Sequence, residues 1–139
     1  MPKHHFYASL LLQVFAGIVF IFHSLFKFDW GTQPLAEWLT AEGIPFPALT
    51  AYILPWIELI GGLLLVVGLG TRVVSVAFAL LMTVVLFQVK LGVGFIRNDA
   101  TGYEFDLLLL LVMVFLAVAG EGVLDRMLKR RKPETTIQA

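Results

Sequence analysis

The chain has 139 residues, of which 59% are hydrophobic and 14% charged, with ten acidic and ten basic side chains and no cysteine. Its mean hydropathy is +0.89, and a typical soluble domain carries about 25% charged residues, so there is too little charge here to clothe a water-facing surface. This excludes a soluble globule, a disordered chain and a nucleic-acid binder, whose footprint would be basic. The missing cysteines exclude disulfides, thiol relays and cysteine-held zinc or iron–sulfur centres. The solvent for most of the chain is a lipid bilayer.

A membrane-spanning helix needs roughly 20 mostly apolar residues. Four stretches qualify, at about 8–27, 52–70, 73–90 and 103–120. Backbone groups in hydrocarbon must be satisfied within their own segment, and none of the four alternates polar and apolar residues as barrel strands do. The expectation is an all-α membrane protein, a bundle of four transmembrane helices in one domain over 1–128, with a basic, frayed tail over 129–139. The first apolar run is too long for the core of a signal peptide and lacks a small-x-small cleavage site, so it reads as a retained helix.

Between the first two spans, Pro34, Gly43 and Pro45 punctuate a short helix. Leu35, Trp38 and Leu39 share one of its faces, which suits an amphipathic helix in the outer interface, either a lid or a simple anchor. With four spans, Lys3, Arg72, Arg126, Lys129, Arg130, Arg131 and Lys132 fall on one side, and Lys27, Lys90 and Arg97 on the other. Seven against three predicts an inner-membrane protein with both termini in the cytoplasm. The Lys129 to Lys132 run reads as a topology anchor in contact with anionic lipid.

Ionisable residues inside the slab are costly and carry the functional signal. Glu58 lies about six residues into the second span, and the adjacent Gly61 and Gly62 let another helix approach. His23 and Lys27, spaced i, i+4, end the first span on one face. Gln88 and Lys90 end the third. Glu104 and Asp106 open the fourth on different faces, and Glu104 is taken as the inward one. All four helices thus carry polar groups toward the outer third. The structural alternatives are a neutral His23 bonded to a neighbouring helix, a Lys27–Glu58 pair that only fixes register, and a Lys90 that snorkels to headgroups. The charge of Glu58 is undecided, because burial and an adjacent lysine act in opposite directions. The loop from Gly92 to Gly102, with Arg97 and Asp99, reads as a chain turn rather than a segment that orders around an anionic ligand, and Arg72 with Asp125 or Glu121 as a structural ion pair on the inner side. No spacing suits haem, copper, a di-metal bundle site, a phosphate loop or a Ser-His-Asp set, and no metal site is expected. The group Phe20, Phe22, Phe26 and Phe28 could line a site for a flat apolar ring.

With these residues placed, nearly the whole chain, from about Val14 to Asp125, resembles the DoxX family of small four-helix membrane proteins. The likeness rests on Gly17-Ile-Val-Phe-Ile-Phe-His-Ser-Leu-Phe-Lys27, on Trp38-Leu-Thr-Ala-Glu-Gly-Ile-Pro45 and on Glu58-Leu-Ile-Gly-Gly-Leu-Leu-Leu-Val-Val-Gly-Leu-Gly-Thr-Arg72. It extends to Gly102-Tyr-Glu-Phe-Asp106 and Gly120-Glu-Gly-Val-Leu-Asp125, where Glu121 replaces a usual small residue or proline. The resemblance implies a link to redox biology, since relatives include a subunit of an archaeal thiosulfate:quinone oxidoreductase and proteins tied to thiol or oxidative stress. Lys27, Glu58 and Glu104 match recurring polar positions of the family, and His23 matches less closely. The expected ligand site is therefore His23, Lys27, Glu58 and Glu104, holding a quinone or small substrate. A redox protein is the expected partner besides lipid, and a second copy of the chain a further candidate. The alternative is a non-enzymatic scaffold or small-solute carrier that uses the same polar cluster.

Overall fold

The computed structural model describes residues 3–99 and 101–131, so Lys132 to Ala139 of the expected tail lie outside the described residues. Helix α1 runs Lys3–Trp30, α2 Thr32–Ala41 and α3 Pro47–Val67. Helix α4, Thr71–Val85, continues through a π turn at Leu86–Lys90 and a 3₁₀ turn at Leu91–Val93. Helix α5 is Glu104–Ala119 and, after a break at 120–122, α6 is Val123–Arg131. No strand occurs among the described residues.

Four of these stretches (α1, α3, α4 with its two turns, and α5 with α6) are long and apolar enough to cross a membrane. The chain is a multi-pass membrane protein of the expected all-helical class. Four crossings bring α6 back beside the start of α1, where the Arg126 guanidinium lies 4.2 Å from the centre of the Phe6 ring. This is the terminal end; α2 and the 94–103 connection form the loop end. The outer faces are apolar, with Leu11, Val73 and Val118 exposed at 72%, 76% and 72%. That inverts the polar skin of a soluble protein and suits a lipid solvent.

Two antiparallel pairs, α1 with α3 and α4 with α5, make the bundle. The first pair is in backbone contact. A Cβ added to Gly17 would lie 2.7 Å from the Gly62 carbonyl oxygen, and one added to Gly62 would lie 2.8 Å from that of Gly17. Small residues at this crossing replace the hydrophobic effect, which is weak between helices in lipid, with close van der Waals contact. The neighbouring Gly61 makes room for Phe78 of α4, whose ring stacks on Phe20 of α1 at 3.8 Å between centroids. That stack joins the two pairs, with Leu65, Met82, Leu109, Met113 and Leu116 packed around it.

At the terminal end, Asp125 accepts hydrogen bonds from the backbone amides of Gly70 at 2.8 Å and Thr71 at 3.1 Å. It thereby satisfies donors left open at the start of α4. The expected ion pair of Arg72 with Asp125 or Glu121 is not formed. The amides occupy Asp125, Glu121 faces Arg126 and Lys129 at 3.8 and 3.7 Å, and Arg72 Nε donates to the Gly120 carbonyl at 3.0 Å. Lys129, Arg130 and Arg131, expected to begin a frayed tail, form the last turn of α6.

Because the α1–α3 crossing tolerates no side chain, Gly17→Ala should destabilise the bundle by about 1–3 kcal/mol, read as a lower melting temperature in detergent. Gly92→Ala, where an added methyl meets nothing within 4 Å, should leave the melt unchanged. Equal melting of the two variants would contradict the contact.

Candidate functional site

Lys27 Nζ donates to both carboxylate oxygens of Glu58, at 2.9 and 2.7 Å. Helix α3 starts at Pro47 rather than near residue 52, so Glu58 is the twelfth of its 21 residues, deeper than its distance from Tyr52 suggests. Opposition of Gly17 and Gly62 sets Glu58 level with Ile21, about 1.7 turns short of Lys27, or about 9 Å along the axis. The antiparallel arrangement closes that gap. Side chains on a helix lean toward its N-terminus, so Lys27 leans toward the terminal end and Glu58 toward the loop end, each toward the other. Both are largely withdrawn from the surface, with side chains 15% and 7% exposed.

Beside the pair is a cavity of about 490 Å³. Lys27, His23 and Glu58 line it, joined from the second helix pair by Lys90, Phe105 and Asp106. Leu54, Leu81 and Val85 make its walls apolar, and Trp38 and Leu39 of α2 lie over it. Helix α2 is seated by Leu35 and Leu39, which pack on Ala51 of α3. Gln88 Nε2 ties the loop after α2 to the second pair by donating to the Glu42 carbonyl at 3.3 Å. Helix α2 therefore lies against the cavity through Trp38 and Leu39. Trp30 and Trp38 lie 6.1 Å apart, and Trp56 packs edge-on against Phe28 at 4.9 Å. Trp30 and Trp38 therefore stand at the loop end, as aromatic side chains do at a membrane interface, whereas Trp56 lies midway along α3.

Of the four expected site residues, the structure brings together His23, Lys27 and Glu58 but not Glu104. Asp106 takes the inward position instead, with its Oδ2 3.8 Å from Lys90 Nζ. The register of α5 decides this. The preceding loop folds back so that the Tyr103 and Glu104 amides donate to the carbonyls of Gly94 and Phe95, and the Glu104 carboxylate turns against Gly102 beneath that loop. Lys90 correspondingly faces the cavity rather than snorkelling outward. It closes a π turn, whose extra residue rotates it away from its α-helical direction. Single-sequence periodicity carries no sign of such a turn.

His23 bonds its own helix rather than a neighbouring one, with Nδ1 2.9 Å from the Val19 carbonyl oxygen. A carbonyl only accepts, so Nδ1 is the donor in this bond, and Nε2 is the ring nitrogen it leaves unused. The phenylalanine group does not line the cavity: Phe20 is buried in the central stack, while Phe22, Phe26 and Phe28 are exposed on the outside. The rings at the cavity are Trp38 and Phe105. In the 94–103 connection, Arg97 binds both oxygens of Asp99 and thereby holds that carboxyl below its usual range. This is a local turn, as expected.

Residues 8–91 match the family model named DoxX. The chain belongs to the DoxX family. A relative from Bacillus subtilis (strain 168), named "Putative oxidoreductase CatD", is 40% identical to this DoxX chain over 124 residues, which cover 89% of this chain and 87% of the relative. No solved structure matches. Asp106 and the π turn lie beyond or at the edge of the region matched by the family model, whereas His23, Lys27 and Glu58 lie inside it.

Removing one partner of a buried ion pair strands the other, at a cost of about 3–5 kcal/mol. Lys27→Met should therefore lower thermal stability sharply, and Lys27→Met combined with Glu58→Met should recover most of the loss. A double variant less stable than Lys27→Met would contradict a pair coupled across α1 and α3.

Proposed function

We propose that this protein is the membrane subunit of a redox system, and that its loop-end cavity receives the head group of a quinone or a related small aromatic redox substrate. The observation that carries this reading is the cavity's makeup: about 490 Å³ of largely apolar space, within the range of roughly 300–1,000 Å³ common for small-molecule sites, with a few polar groups converging on it. Family membership and the name of the Bacillus subtilis relative support the redox assignment. The seven-to-three distribution of Lys and Arg supports termini in the cytoplasm and a cavity in the outer leaflet.

The donor set suits a quinone ring. Trp38 and Phe105 offer flat surfaces, Lys27 offers hydrogen-bond donors to a carbonyl oxygen, and His23 offers the ring nitrogen Nε2, which its bond to Val19 leaves unused. A bound quinone would supply two-electron chemistry, exchanging electrons with the cofactor of a partner protein. The chain's own task is to hold and move protons, with His23 and Glu58 as the exchanging groups. Lys27 then serves both states, held by Glu58 when the cavity is empty and shared with the ring oxygen when it is filled. A second reading, a scaffold or solute carrier, is favoured by one observation: Lys27 already satisfies both Glu58 oxygens, as a register lock would.

Tryptophan fluorescence separates the two readings. A short-chain quinone titrated into purified protein should quench saturably, and Trp38→Phe should remove most of the quenching. Glu58→Gln strands Lys27 and should melt at a lower temperature, yet below that melt the folded variant should bind the quinone at least tenfold more weakly. Absence of saturable quenching in the native protein would favour the scaffold or carrier.

A further inference from the structure

At the terminal end a second cavity, of about 560 Å³, opens between the start of α4 and the α5–α6 break. Arg72, Lys129 and Arg131 line it together with Val73, Leu128, Glu121 and Asp125. The geometry points to this groove as a seat for one anionic phospholipid, with the phosphodiester against Arg72 and Arg131 and the glycerol and upper acyl chains against Val73 and Leu128.

The charge distribution is the first argument. The groove contains two carboxylates, but both are occupied. Asp125 is bound by the Gly70 and Thr71 amides, and Glu121 faces Arg126 and Lys129. Arg72 is oriented by its Nε bond to the Gly120 carbonyl. Among the described residues its two terminal nitrogens make no further hydrogen bond, which leaves the fork that matches a phosphate geometrically. The second argument is depth. Arg72 is the second residue of the α4 span, which puts it where hydrocarbon gives way to headgroups. Val73 beside it is 76% exposed and Leu128 48%, so an apolar wall continues from the cationic pocket toward the acyl region. The third is α6, whose apolar Val123, Met127 and Leu128 and basic last turn suit a helix lying in that interface. A free phosphate ion would find the cations but leave the apolar wall unused, so the lipid is the fitting occupant.

Native mass spectrometry of the full chain in detergent tests the assignment, with dioleoyl phosphatidylglycerol, dioleoyl phosphatidylcholine or inorganic phosphate as the probe. The expected result is one phosphatidylglycerol bound per chain at concentrations at least tenfold below those needed for phosphatidylcholine, with millimolar phosphate unable to displace it. Arg72→Gln should weaken that binding about fivefold or more. Val73→Trp, an exposed position that leaves every charge and the Arg72–Gly120 bond intact, should do the same by filling the mouth. Arg130→Gln, outside the groove, should change nothing. Equal retention of the two lipids, a preference that survives Val73→Trp, loss of binding equally in Arg130→Gln, or displacement by phosphate would each overturn the proposal.

Discussion

A carboxylate placed midway along an apolar helix, facing an ammonium group on the antiparallel helix beside it, is the constraint around which this bundle is arranged. An acid at such a depth costs roughly 2.5–3.5 kcal/mol on insertion scales, and it persists only with a partner of opposite charge within reach. Lys27 reaches Glu58 because Gly17 and Gly62 let the two backbones touch and because antiparallel helices tilt their side chains toward one another. Glycine contact, ion pair and cavity are thus successive consequences of one crossing. A bulkier α1–α3 interface would move the helices apart and leave the glutamate without its lysine.

The second helix pair repeats the motif less tightly. Lys90 and Asp106 stand 3.8 Å apart across the same cavity, so two lysine–carboxylate pairs from four helices enclose one apolar volume. Each pair brings one basic and one acidic side chain to the cavity lining. At the loop end Trp38 and Leu39 of α2 line the cavity, and Gln88, in the π turn that also turns Lys90 inward, holds the loop that follows α2. At the other end, charge is arranged differently. There Asp125 satisfies backbone amides, Glu121 faces Arg126 and Lys129, and Arg72 donates to the Gly120 carbonyl.

Much of this was legible in the sequence, for identifiable reasons. Spanning length and apolar content locate four helices regardless of packing, and Pro34, Gly43 and Pro45 mark α2. That His23, Lys27 and Glu58 lie in the same half of the bundle follows from helix direction, and Gly61 and Gly62 signal the close approach that lets them meet. What escaped depends on register that only the folded chain sets. Asp106 replaces Glu104 because the 94–103 loop folds back on its own carbonyls. Lys90 turns inward because of a π turn, and Arg72 loses its expected acid because α4 needs a cap. Buried Gln13 and Thr71 (hydrogen-bonded across the bundle at 3.3 Å) went unnoticed because uncharged polar residues scarcely dent a hydropathy profile.

The most direct measurement of the central contact is a solid-state NMR dipolar coupling in lipid bilayers, between lysine ¹⁵Nζ and glutamate ¹³Cδ, in native protein and in Glu58→Gln. The structure places Lys27 Nζ within 2.9 Å of both Glu58 oxygens, so a strong coupling should be present in the native protein and lose that component in the variant. A coupling that is identical in the two samples would mean that Lys27 and Glu58 do not meet, and the cavity would lose its defining wall.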